Sequence, residues 1–493
     1  MTRLSKSFRD GVRIALSLDL RYLWIDSLCI LQDSKDDWAQ EAEMMSEIYR
    51  YGFINIGATG ASHGDEGCFW RRDLRAVLPT ECLVRWSNSS ENARRYQLVS
   101  DTDIWAEKFI GEPLNQRAWV LQERILSPRM LHFGHEQLFW ECRELVACET
   151  FPRGLPPSLQ QNRLLDIKTL DLSDEPLDSC WPVEYESSSI NIRTTWLGSA
   201  WSYLTEPFQP ITVQNLTVMS PVRRMSIYQH WNALVELYSL GALTFSSDKL
   251  VALSGLANNI SIDERDARGD RYLAGLWQSS LPAHLLWVAE KYKRKGRYEE
   301  LPMVPGRHGQ YVAPSWSWAS IDGKISFTLC KRDYHPRDFL VKLEGAKVTW
   351  SEQNAKFGQV LSGFLNLSGP LVSAKWDPAI SNMSTSPRTA RITHLFPPSL
   401  DSTSAVSVLP NAATGDEIFF DTETDKVPDP IILLPIIRPI GRGPREVETV
   451  SGLVLRRASG AQGDFERVGV FITMRERVCK ILKNMPVETV TIR

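Results

Sequence analysis

The chain reads as an α/β amino-terminal domain built on a parallel sheet, followed by a mixed helical and β-rich carboxy-terminal region. Three observations predict this. Residues 7–58 run helix, strand, helix, strand, the order of parallel strands joined by a right-handed crossover. Residues 150–190 are rich in Pro, Ser and Asp, the composition of a loop or domain boundary. Residues 310–372 alternate apolar and polar positions around glycines, which predicts strands. A length of 493 residues allows two or three domains.

The elements follow in order. Residues 7–18 predict a helix with Phe8, Val12, Ala15 and Leu16 on one face. Residues 22–30 predict a buried strand whose end bends at an acid. Ser34 is the expected N-cap of the next helix, and Asp36 and Asp37 in its first turn complement the dipole. Trp38, Ala42, Met45 and Tyr49 form its apolar stripe, widened by Ile48. Residues 53–58 predict a second strand, closed by Thr59 and Gly60. A looser segment covers 61–112. A helix follows at about 115–126, ended by Pro128. Residues 130–133 and 137–142 then predict a hairpin turned at Gly134 and His135.

From 191 to 290 the pattern is mostly helical. Trp231, Leu234, Val235 and Tyr238 give one face, and Leu250, Leu253 and Ala257 another. Residues 377–417, rich in Ser, Thr, Pro and Ala, predict a disordered insert. Residues 453–455 and 468–472 predict a late hairpin. The expected domains are 1–148, a linker at 149–190, a mainly helical region at 191–300, and a β-rich region at 301–493.

Composition narrows the function classes. Hydrophobic residues make up 43% and charged residues 23%, which is globular. A net charge of −3 supplies no field to attract nucleic acid. The eight cysteines include no C-x-x-C pair, so neither a disulfide framework nor a ribbon-type zinc site is implied. The amino terminus lacks a continuous apolar core of the secretory kind. The longest strongly apolar run, 431–437, is broken by Pro435 and too short to span a bilayer. These features predict a soluble, cytoplasmic protein without a membrane span. Phosphate-loop, nucleophile-elbow and H-E-x-x-H motifs do not occur.

Several constellations could carry chemistry. Asp26, at the expected carboxyl end of a strand, and Glu41, beside the buried stripe of the next helix, could work as paired carboxylates on a sugar bond. They equally suit a turn cap and an ion-pair partner. Arg117, Trp119, Gln122, Glu123 and Arg124 read either as an arginine clamp for a phosphate or carboxylate, or as a network locking a helix to the sheet. His132 and His135 with Cys142 and Cys148 offer zinc-type ligands at the wrong spacing, so no metal is expected. The basic run Lys291, Lys293, Arg294, Lys295 and Arg297 is followed by Glu299 and Glu300, as a solvated loop would be. Alternating Ser and Trp at 315–318 predict a core strand with Trp316 and Trp318 on one face.

Arg21-Tyr-Leu-Trp-Ile-Asp-Ser-Leu-Cys-Ile-Leu-Gln-Asp33 leads into Asp37 and Trp38, then Glu41, Met45, Ile48 and Tyr49. With Gly67, Cys68 and Phe69, this wording resembles the heterokaryon incompatibility (HET) domain of filamentous fungi. Pro113-Leu-Asn-Gln-Arg-Ala-Trp-Val-Leu-Gln-Glu-Arg124 is similar to the second signature block, and Phe139 to Cys142 to its continuation. The matching motif positions are Trp24, Asp26, Cys29, Gln32, Trp38, Glu41, Arg117, Trp119, Gln122, Glu123 and Arg124. The resemblance covers about the first 145 residues and scattered later blocks, among them 248–257, 272–277, 314–320 and 452–455.

The resemblance implies an effector or signalling role in non-self recognition, a form of fungal innate immunity in which fusion of incompatible hyphae triggers cell death. Protein partners in incompatibility signalling, self-association among them, are expected with it. It also implies a fold like that of the Toll/interleukin-1 receptor (TIR) domain, some members of which cleave NAD. In those a catalytic glutamate follows a tryptophan on a helix, a pattern that Trp38 and Glu41 resemble. HET domains usually open with a strand carrying a Ser-Tyr-x-Trp-Gly-like motif, and residues 1–7 hold no such strand, so a truncated domain is expected. Three readings stand side by side: an incompatibility effector, a TIR-like NAD glycohydrolase using Glu41 with NAD as substrate and no resident cofactor, and an inactive truncated paralogue.

Overall fold

The computed structural model describes residues 4–85, 93–98, 105–156, 227–263, 270–295, 300–330, 334–351, 357–378, 388–396, 406–407, 416–439, 448–458 and 463–493. They belong to one compact unit spanning 1–172 and 227–493.

The first helix, Lys6–Ser17, starts where the Ser5 hydroxyl accepts the Phe8 amide. It buries Asp10, Ile14 and Ala15, while Leu16 faces solvent. The buried face therefore differs from the expected one. The cause is Asp10, whose carboxylate accepts the Cys68 amide at 3.1 Å and turns its own side inward.

The expected strand at 22–30 is not formed. Residues 20–25 lie outside any strand, and Asp26–Cys29 makes one helical turn. Tyr22 is 85% exposed, and Leu28 and Leu31 are exposed as well. Apolar periodicity shows that a segment can line a sheet, but a strand also needs a neighbour to complete its ladder. Here the sheet edge is Asn55–Gly57, whose one strand partner among the described residues is Arg129–Phe133.

The helix Lys35–Tyr51 is capped as expected, with the Ser34 hydroxyl accepting the Asp37 amide at 3.2 Å. Ala42 and Met45 are buried, whereas Trp38 is 39% exposed, so the stripe is narrower than its sequence suggests. The sheet runs Asn55–Gly57, Arg129–Phe133, Leu138–Cys142, Val146–Cys148. Its first pair is parallel and the next two are antiparallel, which makes it mixed rather than parallel.

Pro113–Gln116 forms a 3-10 turn, and the helix Ala118–Leu126 follows. The Ala118 amide donates to Ala242 O and the Ala242 amide to Gln116 O, so the start of the helix is stitched to a distant segment. Gly241 makes this approach feasible, because a Cβ there would stand 2.6 Å from Ala118 Cα. On the far side, Gln122 accepts the Gly255 amide. The Ile227–Tyr238 helix buries the expected face. Leu250, Leu253 and Ala257 are also buried, but Leu250 lies between two 3-10 turns and Leu253 in the second of them, ahead of the Ser254–Asp263 helix, which holds only Ala257.

The mainly helical expectation for 191–300 fails beyond Asp270, where Tyr272–Leu273, Leu276–Trp277, Val288–Glu290 and Tyr292–Lys295 are short strands. Gly275, at φ +95°, sits in the tight reversal between the first two. Residues 191–226 lie outside the described residues. Trp316 and Trp318 are fully buried, but in a turn and a 3-10 helix instead of a strand. The Ser317 hydroxyl accepts the Ala319 amide and donates to Ala274 O, which bends the backbone out of an extended path.

The carboxy-terminal half holds a six-stranded closed barrel. Asp464–Thr473 pairs with Asp416–Phe420, then Arg388–Phe396, Val372–Pro378, Ile431–Ile437 and Val450–Arg457, which pairs back with Asp464–Thr473. All six junctions are antiparallel. Its apolar core includes Ile392, Phe420, Leu433 and Phe471, joined by Val478 and Leu482 of the Glu476–Lys483 helix. The insert expected at 377–417 thus contains a barrel strand, Arg388–Phe396, with Ala390, Ile392 and Leu395 buried. A window average of Ser and Thr hides such alternation. Residues 379–387, 397–405 and 408–415 lie outside the described residues.

Arg467 fastens the barrel to the rest of the unit. It is fully buried, pairs bidentately with Asp421 at 2.9 and 3.1 Å, and donates to the carbonyls of Leu285 and Trp287. Its guanidinium carbon lies 3.2 Å from the Trp287 ring centroid. Burial pulls its pKa down, while Asp421 opposes that shift.

Candidate functional site

Three residues from separate sequence blocks meet on one flank of the Ala118–Leu126 helix. Asp26 lies on the short turn after the extended segment, Tyr49 near the end of the Lys35–Tyr51 helix, and Glu123 on Ala118–Leu126 itself. The Glu123 carboxyl is pushed up to about 7, first by burial and then by the negative charge of Asp26. Arg117 and a side-chain hydrogen bond with Tyr49 oppose that rise. Burial, the same two carboxylates and the Glu123 hydrogen bond push the Tyr49 phenol well up, so it stays a neutral donor. Trp24 packs edge-to-face on Tyr49 at 5.8 Å. The result is a carboxyl able to hold or release a proton near neutral pH, beside a second, exposed carboxylate.

A second network lies on the other flank. Arg124 donates to both Glu141 oxygens at 2.9 and 2.7 Å and stacks on Phe109. The other ring nitrogens continue the row: His132 Nε2 is 2.9 Å from Glu141, and Nδ1 is 3.0 Å from the Thr59 hydroxyl. Burial alone would raise the Glu141 carboxyl, but Arg124 and His132 hold it well below the carboxylate range. This order of hydroxyl, imidazole and carboxylate superficially matches a nucleophile relay. Thr59 and His132 are both 0% exposed, so no substrate reaches the hydroxyl, and the row acts as a lock between helix and sheet.

The structure thus divides the second signature block. Glu123 and Arg117 belong to the acidic cluster. Arg124 holds the sheet, Gln122 holds the Gly255 turn, and Trp119 hydrogen-bonds Asp248. Glu41 is half-buried on the Lys35–Tyr51 helix and, among the described residues, forms no hydrogen bond or ion pair. Asp26 is exposed and its carboxylate accepts the Ser27 amide. Cys29 is exposed, and Gln32 donates to Ile30 O. His135 packs against Trp70, away from the His132 row. Tyr49 escaped sequence reasoning as a site residue because it reads as an ordinary stripe position. The signal that could have found it is its place at the end of the same helix face.

An α/β unit with a mixed sheet, carrying a cluster of two carboxylates and a tyrosine, defines the class. The family model described as Heterokaryon incompatibility protein (HET) matches residues 1–123, a span that includes Asp26, Tyr49 and Glu123. No curated protein and no solved structure matches the chain. Residues 1–123 are thus similar to the HET family, which supports a role related to heterokaryon incompatibility in general. Among the described residues no helix is long and apolar enough to cross a membrane.

Proposed function

We propose that the protein is an effector or signalling module of fungal non-self recognition, and that the Asp26–Tyr49–Glu123 cluster is its working centre. The observation that carries this reading is the convergence of three HET-span residues on one spot, where Glu123 is poised to exchange a proton near neutral pH. Inducible expression of the full chain in a filamentous fungus should arrest growth, and Glu123→Gln at equal protein level should restore it. Normal growth with the unaltered chain at confirmed expression overturns the effector role.

The same carboxyl pair favours a second reading, cleavage of a glycosidic bond such as that of NAD. Nicotinamide would leave with the bonding electron pair as a neutral base, Asp26 would stabilise the positive charge developing on the sugar, and ionised Glu123 would take the proton of the attacking water. This moves the working carboxylate from Glu41 to Glu123. Purified protein should release nicotinamide from NAD, with Glu123→Gln losing at least a hundredfold and Glu41→Gln little. Absence of release from the unaltered chain removes this reading and leaves the signalling role to the growth assay.

A further inference from the structure

A cavity of about 80 Å3 lies between the Ala118–Leu126 helix and the end of Ile227–Tyr238, with Val120, Leu121, Leu237 and Leu240 among its walls. One water needs roughly 10–15 Å3 of such volume, so the space takes on the order of five to eight water-sized groups. It is well below the ~150 Å3 of an engineered cavity that admits benzene. Its capacity is that of one polyatomic headgroup, with the remainder of any larger ligand left outside.

The lining carries two arginines and one carboxylate, Arg117, Arg124 and Glu141. Arg124 and Glu141 satisfy each other, and His132 completes the Glu141 contacts. Arg117 is exposed and, among the described residues, its side chain makes no hydrogen bond or ion pair. The acids that feel it, Glu123 and Tyr49, belong to the neighbouring cluster. Gln116 spends its amide nitrogen on Ile110 O. Asn115 donates to Phe109 O, and its buried Oδ1 has no partner. Arg117, whose charge also reaches Glu123 and Tyr49, and the orphaned Asn115 acceptor thus both line a mostly apolar wall.

We propose that this cavity binds the phosphoryl group of a small phosphorylated metabolite, with Arg117 as the anion contact. The guanidinium fork matches phosphate oxygens, and the apolar wall lowers the local dielectric and so strengthens the attraction. Phosphate fills five heavy-atom positions, in keeping with the volume. A hydroxyl of the ligand supplies the donor that Asn115 lacks.

Calorimetric titration of the purified full chain at low salt tests this with ribose 5-phosphate, inorganic phosphate, ribose and acetate. Ribose 5-phosphate and phosphate should bind, ribose should not, and acetate should bind at least tenfold more weakly. Arg117→Ala should weaken ribose 5-phosphate at least tenfold while the chain stays folded by circular dichroism, because the side chain is exposed. Leu121→Trp, which fills the cavity and keeps Arg117, should abolish binding. Equal affinity in the unaltered chain and Arg117→Ala overturns the proposal, as does a failure of both phosphates to bind. Acetate equal to phosphate overturns the phosphoryl assignment. None of these readouts depends on growth arrest or nicotinamide release, so this inference and the proposed function fail separately.

Discussion

Asp26 raises the proton affinity of Glu123, although the two acids come from separate sequence blocks and separate elements. Burial makes the larger contribution, and Tyr49 joins the pair through its hydroxyl.

That coupling has a consequence for stability. The Glu123 carboxyl titrates near 7 in the folded chain and near 4.3 when unfolded. Between those values the folded state binds the extra proton, so stability falls as pH rises through the window. Glu123→Gln removes the penalty. Relative to the unaltered chain it should gain on the order of 1–3 kcal/mol at pH 8 and much less at pH 5. Denaturant melts at both values check this, and a pH-independent difference would refute it.

Glu141 titrates in the opposite sense. Its folded pKa is depressed, so its contribution is present above the unfolded carboxylate value and is lost as pH falls. Glu141→Ala leaves Arg124 and His132 facing each other and should cost about 3–5 kcal/mol. Arg124→Met combined with Glu141→Leu should cost clearly less than the sum of the single changes. Additive losses in urea unfolding would mean that the pair is not coupled.

Arg467→Met should cost up to about 3–5 kcal/mol, because buried Asp421 keeps only the longer Arg307 contact at 3.6 Å. The loss should be accompanied by altered tryptophan emission from Trp287, against which the guanidinium stacks. An unchanged melting temperature would show that the barrel is held by apolar packing alone.

Gly241→Ala should cost about 1–3 kcal/mol, since the new methyl meets Ala118 backbone atoms that cannot move aside. Gly309→Ala is the control. Nothing lies within 4 Å of its would-be Cβ, and it should be nearly neutral. Equal melting temperatures for the two variants would remove the claim that residues 240–242 press on the helix start.

Local signals were legible where one element contains its own explanation. Ser34 caps its helix as its residue type dictates, and the 129–142 hairpin turns at Gly134 and His135. The buried face Trp231, Leu234, Val235 and Tyr238 follows from spacing alone. The apolar run at 22–30 predicts a strand but does not reveal whether a neighbouring strand exists to pair with it, and none forms there. The same limit hid the barrel strand Arg388–Phe396, whose partners are set by chain segments on either side of it.

By itself the sequence determined the HET wording, the capped helices and the apolar periodicities, because each depends on residues a few positions apart. Tertiary structure alone decided that Glu123 meets Asp26 and Tyr49, while Arg124, one residue on, faces Glu141 from the opposite flank. The physical reason is that charge coupling and desolvation depend on distance and burial in space, and a helix turns about 100° between adjacent residues.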